Sequence, residues 1–131
     1  TDPGGAIMRI SEHSTASVTI LDLLTPLTGD FSQQLFVPQI EAMIEEGKRH
    51  FVFNMAELSW INSTGIGLLV GARRKIDEAG GRVVLAGMND RVGDILKVVG
   101  LLAIWDVYPT VEAALASFES PRGNAKAEES A

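Results

Sequence analysis

Three short apolar runs do most to limit what this chain can fold into. "HFVFNM" (50–55), "RVVLAGM" (82–88) and "AIWDVY" (103–108) are each followed by a stretch with helical spacing. Strands this apolar are buried on both faces, which is the mark of a parallel sheet covered by helices. Asn62 or Ser63 opens the first helix, which runs to "EAGG", where Gly80 and Gly81 stop it. Asn89 or Asp90 caps a second, through Val99 to a stop at Gly100. Thr110 caps a third, "VEAALASF", with Glu112 well placed in its first turn. Strands joined through helices imply right-handed crossovers.

The first half reads differently. "AIMRIS" and "ASVTILDLLTPLT" are β-like, with Val18, Ile20 and Leu24 available for a buried face and Thr28-Gly29-Asp30 turning the chain. Their short connection lets them pair antiparallel at one edge. From about residue 32 to 46, Leu35, Ile40, Met43 and Ile44 fall at near-helical spacing and Gly47 ends the pattern. Pro38 either starts this helix or kinks it. The expected fold class is α/β, a mixed four- to five-stranded sheet packed with about four helices. A chain of 131 residues suits one domain, expected over 6–119, with 1–5 and 120–131 as flexible termini.

Several function classes are disfavoured. The chain has no cysteine, which removes disulfides and thiolate metal sites. Its two histidines, His13 and His50, show no ligand spacing, so no metal is expected. The net charge of −6 argues against nucleic acid, which needs clustered cations. No apolar run approaches the roughly 18 residues of a membrane span, and the N-terminus does not read as a secretion signal. A cytoplasmic location is the expectation.

Catalytic chemistry is also hard to assemble. Asp77 and Glu78 stand beside Arg73, Arg74 and Lys75 on one helix, the pattern of a solvated face with short-range pairing. Ser63 has no nearby base in sequence and lies outside a Gly-x-Ser-x-Gly elbow. "GIGLLVG" follows a polar loop and lacks both the P-loop lysine and a full Gly-x-Gly-x-x-Gly. Neither an enzyme nor a bound cofactor is expected, and nucleotide binding at this loop is the weakest of the functional readings.

The helix after Asn62 offers more. At about 100° per residue, Leu68, Leu69, Ala72, Ile76 and Ala79 share a core arc. Ser63, Gly67, Gly71, Arg74 and Glu78 lie opposite, flanked by Val70 and Ile66. An interior helix glycine costs roughly 1 kcal/mol relative to alanine, so outward glycines suggest a flat surface where another backbone approaches closely. Asn62, Ser63 and Thr64 suit helix capping. An exposed hydroxyl there also suits a kinase, since a phosphate adds about −1.5 to −2 charges at a helix end that tolerates anions. Both readings stay open from pattern alone. Trp60, in the loop before Asn62, suits either an interface anchor or the core.

The stretch from "FNMAELSWINSTGIGLLVGARRKIDEAGG" through "RVVLAGMNDRVGDILKVVGLLAIWDVYPTVEAAL" resembles the STAS domain, in particular the bacterial anti-sigma factor antagonists. The likeness runs from about Phe51 to Phe118, with "LTPLTGDF" where that family has its second strand and turn. The resemblance implies a binding module without catalysis. Unphosphorylated, such an antagonist binds an anti-sigma factor that is also a serine kinase. Phosphorylation at the serine matching Ser63 releases it, and a PP2C-type phosphatase restores it. Thr64 matches the second hydroxyl of the motif, a secondary site or a cap. The implied partner surface comprises Asn62, Ser63, Thr64, Gly65, Ile66, Gly67, Val70, Gly71 and Arg74. Asn62 stands where the family usually has Asp. The alternative is a STAS scaffold or transport-system subunit that is never phosphorylated.

Overall fold

The computed structural model describes residues 10–15, 17–24 and 36–119. A five-stranded sheet runs in the order β1 (Ile10–Thr15), β2 (Val18–Leu23), β3 (His50–Asn54), β4 (Arg82–Ala86), β5 (Val107–Tyr108). β1 and β2 are antiparallel, and every later pairing is parallel. The crossovers contain α1 (Phe36–Glu45), α2 (Ser63–Glu78) and α3 (Asp90–Val98), and α4 (Val111–Glu119) follows β5. Each crossover steps to the adjacent strand in the same direction, so a single hand puts all three helices on one face.

Strand alternation then divides the core. Leu21, Leu23, Phe51, Phe53, Val83 and Leu85 pack with Phe36, Ile40, Leu69, Ala72, Ile76, Val92 and Leu96. Val18, Ile20, Val52, Val84 and Ala86 face the other way, against Ala114 and the flanking side chains of α4. The expected burial of β3 and β4 on both faces is therefore met. Leu24, expected beside Val18 and Ile20, lies past the end of β2 and is half-buried; Leu21 and Leu23 fill the helix side instead.

Helix ends follow from local chemistry. Pro38 is the third described residue of α1, which is already helical at Phe36, so Pro38 does not start the helix. Gly47, at φ 101°, lets its own N–H reach the Ile44 carbonyl at 2.9 Å and the Lys48 N–H reach Met43 at 3.1 Å, closing the helix with a left-handed cap. Gly80 and Gly81 repeat the device on α2, bonding to Asp77 and Ile76 at 2.9 Å each. Asn89 caps α3 through Val92 N–H at 2.8 Å, and Thr110 caps α4 through Ala113 N–H at 3.1 Å.

One expected strand is mostly absent. Of "AIWDVY", only Val107 and Tyr108 join the sheet, and Leu101–Ala103 form a 3-10 turn. Leu101 and Trp105 are both buried on the helix side, and the Trp105 indole N–H donates to the Val83 carbonyl at 3.1 Å. Satisfying that donor in the core bends the backbone away from an extended path. The expected turn at Thr28-Gly29-Asp30, residue Leu35 and both termini lie outside the described residues.

Candidate functional site

The site lies where the parallel strands end and α2 begins. Asn54, the last residue of β3, donates from Nδ2 to Asp22 Oδ1 at 2.9 Å, tying the ends of β2 and β3 together. Its Oδ1 accepts the Ala56 N–H at 3.2 Å, and the Met55 N–H bonds the Ala86 carbonyl at 2.8 Å. The loop then turns through Leu58 N–H to the Met55 carbonyl at 3.0 Å, and Asn89 Nδ2 holds the Leu58 carbonyl at 3.2 Å. Met55, Leu58 and Ile61 are buried, at 0%, 0% and 1% exposure. The loop is thus pinned by three apolar anchors and by polar bonds to two neighbouring strand ends.

Asn62 follows as the helix cap. Its backbone is extended, with φ −114° and ψ −176°, and its Oδ1 accepts the Gly65 N–H at 2.8 Å. The capping work is done by the amide, which leaves the Ser63 and Thr64 hydroxyls free of that role. Both residues are exposed on the first turn. His50 opens β3 at the opposite end of the strands, its ring 5.2 Å from that of Phe118, so it supplies no base to Ser63.

The expected partner surface divides on inspection. Ser63, Thr64, Gly67 and Arg74 are exposed. Asn62, Ile66 and Val70 are half-buried, the latter two packed against the helix-side core. Gly65 is buried and offers no surface. Gly71 corrects the outward stripe: a Cβ built there would meet Val37 Cγ2 of α1 at 3.3 Å, whereas at Gly67 it would meet nothing within 4 Å among the described residues. A helical wheel separates core from solvent, but here α1 covers one flank of α2 as well. In the core arc, Leu69, Ala72 and Ile76 are buried as expected, while Leu68 and Ala79 are half-buried.

The charged face is only partly solvated. Arg73 pairs with Asp77 at 3.3 Å, donates to the Ile104 carbonyl, and lies 5.2 Å over the Trp105 ring, so it clamps the turn after α3 onto α2. Lys75 bridges to Glu41 of α1 at 3.0 Å; that hydrogen bond and charge hold its ammonium above the usual lysine range. The site also rests on Asp22, Asn54 and Asn89, whose bonds across the strand ends leave little trace in the sequence beyond the asparagine that ends the apolar run "FVFN".

A family profile described as the STAS domain matches residues 10–114. The chain belongs to the STAS domain family. Over 69 residues, 50% of its length, it is 29% identical to the Staphylococcus aureus (strain NCTC 8325) anti-sigma-B factor antagonist, and the match spans 64% of that relative. Its fold is similar to the anti-sigma factor antagonist SpoIIAA in the unphosphorylated form, with a TM-score of 0.67 at 20% identity over 86% of this chain and 99% of that one. For Bacillus SpoIIAA in the phosphorylated form the score is 0.64 at 23% identity, covering 82% and 97%. A sulfate transporter family protein from Wolinella succinogenes is equally similar, at 0.69 and 22% identity, covering 79% and 86%. At such identities the likeness shows the STAS fold alone, and function must rest on the site. Among the described residues of this STAS domain, no helix is long and apolar enough to cross a membrane.

Proposed function

We propose that this STAS domain is an anti-sigma factor antagonist switched by phosphorylation at Ser63. Unphosphorylated, it docks on an anti-sigma factor that is also a serine kinase and so frees a sigma factor. Phosphate on Ser63 ends the complex, and a PP2C-type phosphatase restores it, all in the cytoplasm. The domain itself performs no catalysis.

The observation that carries this reading is the division of labour between Asn62 and Ser63. Asn62 caps the helix, so Ser63 stands exposed on the first turn with its hydroxyl available for modification. A phosphate there adds about −1.5 to −2 charges beside the free N–H groups of the first turn, which favour an anion. The fold survives, while a partner that must desolvate the same phosphate is expelled. Thr64, exposed beside it, is a secondary acceptor. Ser63, Thr64, Gly67 and Arg74 form the exposed strip of the docking face, with Ile66 and Val70 along its edge.

The Wolinella likeness favours a second reading, a STAS scaffold or transport-system subunit that never carries phosphate. Incubation with each purified anti-sigma factor/serine kinase of the source organism and ATP, followed by mass spectrometry, separates the two. The switch predicts phosphate on Ser63 that a PP2C-type phosphatase removes. A Ser63 that stays unmodified with every kinase sinks the switch and leaves the scaffold.

A further inference from the structure

Trp60 is 41% exposed, the largest apolar side chain so placed among the described residues. Of the others, Val98, Val99 and Ile104 lie at or just beyond the C-terminal end of α3, and Val107 is on the edge strand β5. Its exposure is not the accident of a loose loop. Leu58 and Ile61 on either side are buried, and the loop backbone is held by the Leu58–Met55 and Asn89–Leu58 bonds. The two tryptophans also differ in their donors. Trp105 gives its indole N–H to Val83, whereas Trp60 has no acceptor for its own among the described residues.

We infer that Trp60 is the anchor of the partner interface, entering an apolar socket on the same protein that docks over Ser63. This rests on the antagonist reading above. Chain geometry carries the step. Trp60 and Ser63 are three positions apart in the chain, so their Cα atoms are at most about 11 Å apart. A stable interface covers about 800 Å² per partner, roughly 30 Å across. An interface centred on Ser63 therefore extends past the Cα of Trp60. A rigid aromatic held out by a pinned loop loses little conformational entropy on docking, and tryptophan is among the residues enriched at hot spots. The partner surface it fits is a concave apolar socket with a carbonyl or carboxylate at its rim to accept the indole N–H. Phosphate three residues away then acts by keeping the anchor out of its socket.

The test uses the full chain and the purified anti-sigma factor/serine kinases of its source organism. Trp60→Ala is expected to weaken binding by about thirtyfold or more, and Trp60→Phe by less. In parallel, the emission of wild-type protein minus that of Trp60→Phe isolates Trp60; on complex formation it should shift to the blue and lose acrylamide quenching. This arm uses folded wild-type protein, so it decides the matter even if Trp60→Ala unfolds. Wild-type affinity in Trp60→Ala, with Ser63→Asp unable to bind, overturns the anchor and leaves the antagonist reading standing. Emission unchanged in a complex that does form overturns it equally. Trp60→Ala that abolishes only self-association assigns the residue to a second copy of the chain, against the inference. Failure of the wild-type chain to bind any such kinase removes both.

Discussion

Gly67 and Gly71 are one helical turn apart on α2, yet the structure predicts a stabilising methyl at the first and a neutral one at the second. At Gly67 the new Cβ meets no atom within 4 Å among the described residues, so Gly67→Ala gains only the helix-propensity difference, about 0.8–1 kcal/mol. For a domain of this size that raises the melting temperature by about 4 °C. At Gly71 the same gain is opposed by Val37 Cγ2 at 3.3 Å, a contact that α1 must relieve by shifting. An overpacking cost of about 1 kcal/mol cancels the propensity term, and Gly71→Ala should unfold near the wild-type midpoint. Urea or thermal unfolding of both variants measures the difference. Function should run against stability at Gly67. If a partner backbone approaches the exposed strip closely, Gly67→Ala binds its anti-sigma factor about tenfold more weakly while folding more stably. A destabilised Gly67→Ala would refute the open placement of that position. A stabilised variant with undiminished binding would refute its role in docking.

Two further perturbations test the neighbouring chemistry. Asn62→Ala removes the acceptor of the buried Gly65 N–H in a part-buried capping bond, and should cost about 1–2 kcal/mol in urea unfolding. Asn62→Asp keeps the acceptor and adds a favourable charge at the helix N-terminus, so it should match or slightly exceed wild-type stability; a loss equal to that of the alanine variant would rule out the cap. Lys75 has a folded pKa above 10.5 because of Glu41, so the pairing contributes fully below pH 10.5 and fades as the pH climbs through the folded value. The stability gap between wild type and Lys75→Met should stay level from about pH 7 to 10 and close only as the pH rises past about 10.5, and being exposed it should be small. A gap that widens at high pH would contradict the assignment.

The legible part of this fold was local or strongly apolar. Phe51–Phe53 and Val83–Ala86 announce doubly buried strands by composition, and Asn62, Asn89 and Thr110 announce helix starts through bonds only three residues long. What stayed hidden was decided at a distance. The Asn54–Asp22 and Asn89–Leu58 bonds that fix the site loop span 32 and 31 residues. The short β5 follows from where the Trp105 indole is satisfied, 22 residues back at Val83. Gly67 and Gly71 look equivalent on a wheel until α1 is laid beside one of them. Ser63 itself was legible as a helix-start residue. Its freedom from capping was not, because Asn62 and Ser63 were equal candidates for the cap until the Gly65 bond chose between them.

The claim that matters most is that one hydroxyl controls docking without controlling the fold. The direct measurement is calorimetric titration of the cognate anti-sigma factor with two preparations of this chain, unphosphorylated and stoichiometrically phosphorylated at Ser63. Thermal unfolding of both is recorded alongside. The switch predicts melting temperatures within a few degrees of each other and an affinity at least about a hundredfold lower for the phosphorylated form. Equal affinity in the two forms would contradict it.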